Sequence, residues 1–476
     1  MKLRFLKQPF YLSAFLWMSA SFVQMPLAQA LTLEQYKKEV KELDSSWKAA
    51  ELAEKGSSLL ESEADSLTGL QFTSQMSYLK DKRPTQNPAF QGDQTQYTGF
   101  LMGVKQQTLW GMQWSLTQNY SRTHIYNAAV TAVPVPEFYD AFPKLEFTLP
   151  LWRNLLGREI KAQTNELTSQ LTLRKKQMEL SRVLKEIEIE NAFFNVLAQQ
   201  QIFEIQKDSL TRAEKLQSWT QSRIDRNLTD KSDIYQAQSA VAARKMEMFT
   251  AQKNLSDAIE KFNSFRKLQT HELKEKLTVS EIETQRLNLL KNQLRVRKDV
   301  SLKKYQNESL ESSFVAQKEK HKPQLNLSVM GLHQSRDKKF SEAQSNLLEG
   351  NKDELQVALT LNVPLNQLDE AKYRDGYEAL KQSQSLMEEA RKEDESLTWE
   401  NTVHLASQLK QQLTVIRELE GIQKNKSNAE QDKFNRGRST LFQVLSYEQD
   451  YLSTRSQRIN MELQIRQFLA QLSMFE

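Results

Sequence analysis

The sequence of 476 residues contains no cysteine. This excludes disulfide bonds, thiolate metal sites and a lipid anchor on an amino-terminal cysteine. Glycine and proline are sparse, with 12 and 10 residues, and neither occurs in residues 158–322. Long apolar segments are also missing: the mean hydropathy is −0.65, so we expect no helix to cross a bilayer. A chain of this kind can enter a membrane only as strands, because only helices and closed barrels satisfy all backbone groups in lipid.

The first thirty residues predict a secretory signal peptide. Lys2, Arg4 and Lys7 precede a short apolar run, and Ala28-Gln29-Ala30 provides a cleavage site of the A-x-A type. A membrane anchor is the alternative, but the apolar run is too short and ends in Gln24 and Pro26. We therefore expect an exported protein without a lipid anchor.

The charges and motifs argue against two broad function classes. Without the three basic residues of the signal, 62 Lys and Arg face 60 Asp and Glu, a balance that argues against nucleic-acid binding. The sequence shows no metal-ligand spacing, phosphate-binding loop or nucleophile motif. We expect no enzyme activity, no metal and no cofactor, and we interpret the five histidines as surface or lumen residues: His124, His271, His321, His333 and His404.

The stretch without helix breakers predicts long α-helices. Apolar residues recur mostly three, four or seven positions apart, as at Ile160, Leu167 and Leu171, which is the spacing of a helix packed along one side. A helix over residues 159–224 would be about 100 Å long. No compact domain needs such a length, so this region is predicted to span a distance.

Two other regions, residues 69–151 and 324–365, show the period of a β-strand. Phe72, Met76 and Tyr78 alternate with polar residues, and the second region repeats the pattern. Such alternation between turns is typical of a membrane barrel around a wet lumen. A soluble sheet with one buried face is equally compatible with it.

The chain is predicted to contain an internal repeat. Strands, a long helix, a turn and a shorter helix occur twice, and Leu149-Pro150-Leu151 matches Val363-Pro364-Leu365. The first repeat is predicted at 31–265 (strands 69–151, helix hairpin 158–265), a linker at 266–280, and the second repeat at 281–476 (strands 324–365, hairpin 367–474). Ser280 and Glu283 form a predicted capping box. Residues 32–66 and 232–265, placed end to end, match the long helix at about 100 Å, and 281–319 with 440–474 match 367–435. These equal columns, capped by strands, predict a tall tube.

Several segments, in their order along the chain, resemble the TolC-like family of outer membrane efflux and secretion channels. The match covers the whole mature chain. The segments are 31–35 (Leu-Thr-Leu-Glu-Gln), Leu149-Pro150-Leu151-Trp152 with Gly157 shortly after, 191–198 with Phe193 and Phe194, 322–327 (Lys-Pro-Gln-Leu-Asn-Leu) and 436–445 from Arg436 to Leu445.

The resemblance implies an α+β membrane protein of a Gram-negative outer membrane. Three identical chains would share one β-barrel, continuous with a long periplasmic helical barrel of coiled-coil character. Such a channel would serve a tripartite efflux or type I secretion system. Its partners would be a periplasmic adaptor and an inner-membrane transporter of the RND or ABC type, besides outer membrane lipid. The helix tips would open like an iris.

The two helix turns at the predicted tip carry the candidate gate residues. The resemblance places an aspartate that holds the tip closed at Asp233, and we hypothesise that it pairs with Arg436 or Arg438. Helix capping by these aspartates is the alternative. Some family members carry acidic residues where this chain has Gln443 and Ser446, which puts cation selection there in doubt. The predicted gate set is Asp230, Asp233, Arg436, Gly437, Arg438, Gln443 and Ser446.

Aromatic residues of the strand region could form the girdles of a barrel, although ordinary β-propensity accounts for any single one equally well. The predicted belt is Tyr78, Tyr97, Trp110, Trp114, Tyr120 and Trp152. The first repeat also has extra strand-like material, turning near Trp110 and Gly111, which either extends the barrel or forms an external hairpin. Two alternatives for the whole protein are a periplasmic coiled-coil adaptor and a structural protein without a pore.

Overall fold

The structure is a computed structural model. It describes residues 30–84, 86–226, 230–273, 275–279, 295–348, 352–365 and 367–475. Residues 1–29 of the predicted signal peptide lie outside this description, as do the predicted capping box at Ser280 and Glu283 and residues 227–229 of the first tip turn.

Long helices lie in the regions that the sequence predicts to be helical. α4 (Arg158–Asp225) and α5 (Lys231–Phe265) form the first hairpin, and α8 (Gln367–Asn435) and α9 (Leu441–Gln471) form the second. α6 (Lys298–Lys320) lies between them in sequence. These bounds confirm the predicted long helices. None of the described helices is both long and apolar enough to cross a bilayer.

The single helix predicted over residues 32–66 is wrong. The structure has α1 (Leu33–Leu43), α2 (Ser45–Leu59) and a 3₁₀ segment (Leu60–Thr68). Asp44 separates the first two because its backbone is extended, with φ −77° and ψ 116°. Its carboxylate accepts a hydrogen bond from the Ser46 amide at 3.1 Å, so the side chain caps α2.

α1, α2 and α5 stack into one column beside α4. Tyr36 of α1 and Phe262 of α5 stack with ring centroids 4.1 Å apart, and both contact Phe193 in the middle of α4. The Tyr36 hydroxyl donates to the Phe262 carbonyl at 3.1 Å. Nearer the start of α4, the Lys175 ammonium lies 2.8 Å from the carboxylate of Glu61 in the 3₁₀ segment. The first column therefore runs antiparallel to α4, and its two parts lie end to end, as the helix lengths predict.

A short parallel β-ladder packs against this aromatic cluster. β1 (Ala30–Leu31) pairs with β6 (Lys276–Leu277). Residues 266–280, predicted as a linker, therefore include a strand.

α6 and α9 form a second stacked column, which contacts both α4 and α8. The Lys298 ammonium, at the start of α6, donates to the Ser473 carbonyl just after α9 at 3.3 Å. Leu413 of α8 packs against Ile465 and Phe468 of α9. One chain thus presents four columns side by side: α1–α2–α5, α4, α6–α9 and α8.

One antiparallel sheet lies at the end of the molecule where α4 begins. Its strand order is β2-β3-β4-β5-β7-β9, and β8 pairs with β5 beside β7. The strands are β2 (Gln71–Asp81), β3 (Gln94–Gln107), β4 (Gln113–Tyr126), β5 (Glu137–Pro150), β7 (Gln324–His333), β8 (Ser335–Asp337) and β9 (Asp353–Asn362). β5 and β7 join the two halves of the chain.

The segment after β7 is more ordered than the predicted polar loop over residues 335–353. It contains β8 and a short helix, α7 (Phe340–Ser345); another short helix, α3 (Pro88–Gln91), precedes β3. The Arg336 guanidinium donates to the Asp140 carboxylate of β5 at 2.7 Å, which fixes β8 against the sheet. The prediction missed this because the partner lies almost two hundred positions earlier.

Candidate functional site at the sheet and the helix tips

The strand register divides the sheet into two faces of different chemistry. Directly paired residues such as Met76 and Phe100, or Leu327 and Leu359, point to the same side. The side that carries them, here named the apolar face, has apolar or aromatic residues on all six strands, with polar residues such as Ser74, Thr98 and Gln118 between or beyond them. Its apolar and aromatic members include Phe72, Met76 and Tyr78; Phe100, Met102 and Val104; Trp114, Leu116 and Tyr120; Leu145, Phe147 and Leu149; Leu325, Leu327 and Val329; and Leu355, Val357, Leu359 and Leu361.

The apolar face is exposed to an unusual degree for a folded chain. Phe72 is 72% exposed, Met76 76% and Leu355 74%. Exposed apolar patches of this extent mark contact with a membrane or with another protein.

The opposite face, here named the polar face, carries mainly hydroxyls, amides and glycines. Examples are Thr73, Gln75, Asn119 and Thr360. The same face also carries apolar residues, namely Leu79, Leu101, Phe142, Met330 and Leu332, and the charged residues Lys105, Lys144 and Glu146. Its other small or polar members include Ser77, Gly99, Gly103, Ser115, Thr117, Ser121, Thr148, Asn326, Ser328, Gln356 and Asn362. The polar face is therefore a surface that water can solvate.

The predicted belt residues do not all lie on one face. Tyr78, Trp114 and Tyr120 lie on the apolar face, whereas Tyr97 lies on the polar face. Tyr97 covers Gly99, where an added Cβ would lie 2.7 Å from the Tyr97 hydroxyl. Trp110 lies in the β3–β4 turn and Trp152 follows β5, and both are exposed.

Hydrogen bonds link the aromatic hydroxyls at the far rim of the apolar face. The Gln96 amide donates to the Tyr78 hydroxyl at 2.8 Å and accepts from the Tyr126 hydroxyl at 2.9 Å. At the rim near the helices, the Trp114 indole donates to Gln106 at 3.3 Å. Polar-tipped aromatics at both rims are the arrangement found at membrane interfaces.

β2 and β9 are the two outer strands of the sheet, and each has one edge that pairs with no other strand in the described part of the chain. β9 is exposed along nearly its whole length, and β2 has the same character. Long exposed edges are templates for pairing with another chain.

A tight junction connects the sheet to α4. Gly157 has φ +76°, and an added Cβ would lie 1.8 Å from the Leu109 carbonyl oxygen in the β3–β4 turn. The Asn154 side chain accepts from the Ile160 amide at 3.0 Å, and the Arg153 Nε donates to the Glu159 carboxylate at 2.8 Å. The junction therefore fixes the position of the first turn of α4 relative to the sheet.

The carboxyl ends of α4 and α8, which lie away from the sheet, meet in a small apolar cluster. Trp219 and Phe434 lie 4.6 Å apart between ring centroids, and the Arg223 guanidinium lies 4.7 Å above the Trp219 ring. Leu441 and Val444 of α9 also belong to the cluster. This cluster, with the turns around it, is named the tip.

Gly437 ends α8 in the left-handed conformation, with φ +73°. The Arg438 amide donates to the Lys433 carbonyl at 2.9 Å and the Gly437 amide donates to the Phe434 carbonyl at 2.9 Å. These bonds satisfy carbonyls that the helix end leaves open.

Gln443 has a capping role that the sequence analysis missed. The Thr440 hydroxyl accepts from the Gln443 amide at 3.3 Å, and the Gln443 side chain accepts from the Thr440 amide at 3.5 Å. This is a capping box, and the Thr-x-x-Gln pattern could have indicated it. Ser446 lies half-buried in the next turn.

Glu430 joins α8 to the turn. The Ser439 hydroxyl donates to its carboxylate at 2.5 Å, and the Lys433 ammonium donates to it at 3.0 Å. The hydrogen bond from Ser439, together with that from Lys433, lowers the pKa of Glu430 below its usual value.

The structure leaves the predicted latch open to test. Asp230 is the N-cap residue of α5, and the Asp233 amide donates to its carbonyl at 3.2 Å. Arg436 and Arg438 are exposed. The pairing of Asp233 with either arginine stays a prediction.

Polar contacts between the two hairpins near the tip were not predicted. The Arg212 guanidinium of α4 donates to the Glu448 carboxylate of α9 at 2.6 Å. The buried Arg244 of α5 contacts Gln449 of α9. Partners more than two hundred positions apart give no local signal in a sequence.

Among the described residues, no three His, Asp or Glu side chains form a group that could hold a metal ion.

Several solved structures with similar folds are outer membrane proteins, whereas no family model and no curated protein matches the sequence. The chain is similar to the outer-membrane channel OprN, with a TM-score of 0.62 at 12% identity, covering 93% of this chain and 89% of that one. For the outer membrane protein VceC of Vibrio cholerae, the TM-score is 0.60 at 14% identity, with 93% and 95% covered. For the outer membrane channel CmeC of Campylobacter jejuni, it is 0.63 at 12% identity, with 93% and 85% covered.

The chain has the fold of outer membrane channels. The resemblance inferred from the sequence is therefore confirmed at the level of the fold. Within this channel fold, the apolar face and the tip lie at opposite ends of helices about 100 Å long.

Proposed function

We propose that this protein is the outer membrane channel subunit of a tripartite efflux or type I secretion system. The observation that carries the proposal is the apolar face, which is continuous over six strands and exposed. A bilayer is the apolar medium that such a face fits, and the polar face behind it would line water.

Three chains would form the channel. The open edges of β2 and β9 would pair between neighbours and close a barrel, which removes the exposed edges. The four helical columns of each chain would continue this barrel into the periplasm. The similar structures support this arrangement because they share the fold over 93% of the chain.

The channel would conduct passively and without a cofactor. An adaptor in the periplasm and a transporter of the RND or ABC type in the inner membrane would supply the energy and the cargo. The tip would contact these partners and gate the conduit. The predicted signal peptide would export the chain, and its lack of cysteine fits an amino terminus without a lipid anchor.

Cell fractionation followed by planar-bilayer recording tests the proposed function. We expect the protein in the outer membrane and stepwise currents from the purified protein. Recovery as a soluble periplasmic protein would support an adaptor instead, and membrane insertion without current would support a structural protein.

The latch is a separate part of the proposal. Asp233 would pair with Arg436 or Arg438 of an adjacent helix pair and hold the tip closed; each exposed pair contributes only about 0–1 kcal/mol, which suits a contact that must release. Arg436→Gln with Arg438→Gln should raise the single-channel conductance. The matched control is Arg436→Lys with Arg438→Lys, which keeps the charge. Unchanged closure in the glutamine variant would reject the latch.

A further inference from the structure

β3 and β4 are bonded into the sheet on both flanks. All eleven residues of β2 pair with residues of β3, and residues 113–124 of β4 pair with β5. Their shared turn is closed by the Thr108 amide, which donates to the Met112 carbonyl at 2.9 Å. The hairpin therefore separates β2 from β5 along the whole length of β2.

The hairpin also has the same two faces as its neighbours. Phe100 and Met102 of β3 and Leu116 of β4 belong to the apolar face, and all three are exposed. Gly103 and Thr117 lie on the polar face. A hairpin packed outside a barrel would have no reason to match both faces in register.

We infer that β3 and β4 are part of the barrel wall, so that three chains close a barrel of eighteen strands. This inference rests on the proposed function. Without the hairpin, the same arrangement would join β2 directly to β5, and three chains would close a barrel of twelve.

The widths of the two halves of one chain support the larger barrel. Six strands spaced about 4.8 Å apart and tilted about 40° span roughly 38 Å. Four helical columns spaced about 8–10 Å apart span roughly 32–40 Å. Four strands would span only about 25 Å. With the hairpin in the wall, the sheet is as wide as the columns it continues.

The consequence is a wide, water-filled passage at the level of the membrane. Barrels of 16–18 strands enclose an aqueous channel, and the diameter grows roughly in proportion to the strand number. The hairpin lines its part of this passage mainly with small or uncharged polar groups, of which Gly103, Thr117, Asn119 and Ser121 are examples. The passage would therefore admit bulky hydrophilic solutes.

Engineered disulfides test the strand order directly, because the natural chain has no cysteine. Met76→Cys with Phe100→Cys probes the β2–β3 flank, and Leu116→Cys with Leu145→Cys probes the β4–β5 flank. Met76→Cys with Leu145→Cys is the matched control, which could link only if β2 met β5. In the membrane-inserted protein, mild oxidation should link both flank pairs and leave the control unlinked. Failure of either flank pair, or linkage of the control, would overturn the inference.

A hairpin deletion tests the width. Removing residues 94–126 leaves β2 and β5 antiparallel and free to pair. Neutral polyethylene glycols that enter the passage lower its conductance. We expect the largest size that enters from the sheet side to be smaller for the deletion variant than for the natural protein, in line with a diameter reduced by about one third. An unchanged size limit would overturn the inference but leave the channel function intact. If the deletion variant does not assemble, the disulfide pairs still decide the matter. A wild-type protein that inserts but never conducts would instead refute the proposed function.

Discussion

The helical columns and the sheet differ in how many large apolar side chains they bury within one chain. The columns have a buried core, as at Phe193 and Leu413, which are 0% and 2% exposed, although others such as Phe442 remain exposed. In the sheet, residues of the same kind are exposed, with Met76 at 76%. The columns can fold against themselves. Under the proposed function, an apolar medium and a neighbouring chain would cover the sheet, and this difference marks where the membrane would lie.

The largest expected effect concerns the contact between α1 and α5, which lies beside the middle of α4. Tyr36→Ala should lower the thermal unfolding midpoint strongly, because truncating a fully buried aromatic ring costs about 3–5 kcal/mol. Tyr36→Phe keeps the stack on Phe262 and loses only the hydroxyl, at about 0.5–1.5 kcal/mol. Equal midpoints for the two variants would show that the columns do not depend on this stack.

A matched pair on β9 separates the two faces of the sheet. Leu359→Arg places a charge on the apolar face, which costs about 2–4 kcal/mol near the middle of a bilayer. Thr360→Arg, one residue farther on, places the same charge on the polar face. After fractionation, we expect the first variant to be depleted from the outer membrane and the second to remain. The same yield for both would contradict the assignment of the faces.

Substitutions at two glycines with positive φ compare the two ends of the helices, which are the tightly packed junction with the sheet and the more open tip. Gly437→Ala should cost about 1–2 kcal/mol through its backbone conformation alone, since nothing lies within 4 Å of the added Cβ. Gly157→Ala adds a clash with the Leu109 carbonyl. We expect a lower unfolding midpoint for Gly157→Ala than for Gly437→Ala. The reverse order would mean that the junction with the sheet is not tightly packed.

The smallest effect is a pH dependence at the tip. Because the folded pKa of Glu430 is lowered, its contribution is present above the usual carboxyl pKa and is lost as the pH falls through the lowered value. Proteolysis at the tip should therefore increase in acid. Glu430→Gln should be cleaved faster at neutral pH and should show less of this acid-induced increase. An identical pH profile of proteolysis for the natural protein and Glu430→Gln would contradict this role of Glu430.

Local patterns predicted the helices and the faces of the strands. The stretch without glycine and proline gave α4 and α5, and the alternation around Phe72 and Met76 indicated the apolar face before any pairing was known. Both follow from neighbours in sequence, because backbone propensity and side-chain periodicity are local properties.

Long-range contacts were not predictable in the same way. The pairing of β5 with β7 joins residues about 180 positions apart, and the stack of Tyr36 on Phe262 spans 226 positions. The helix break at Asp44 was not predicted either, because a single capping carboxylate interrupts an otherwise helical pattern. The role of Gln443 was accessible from its spacing to Thr440 but was interpreted only by comparison with acidic residues of the family.

An image of the purified particle, viewed along its long axis, tests the central claim most directly. The account predicts three chains around one bore that runs without a break from the sheet through the helices, with six strands from each chain in the wall. A single chain, or an assembly whose apolar faces turn inward and leave no bore, would contradict it.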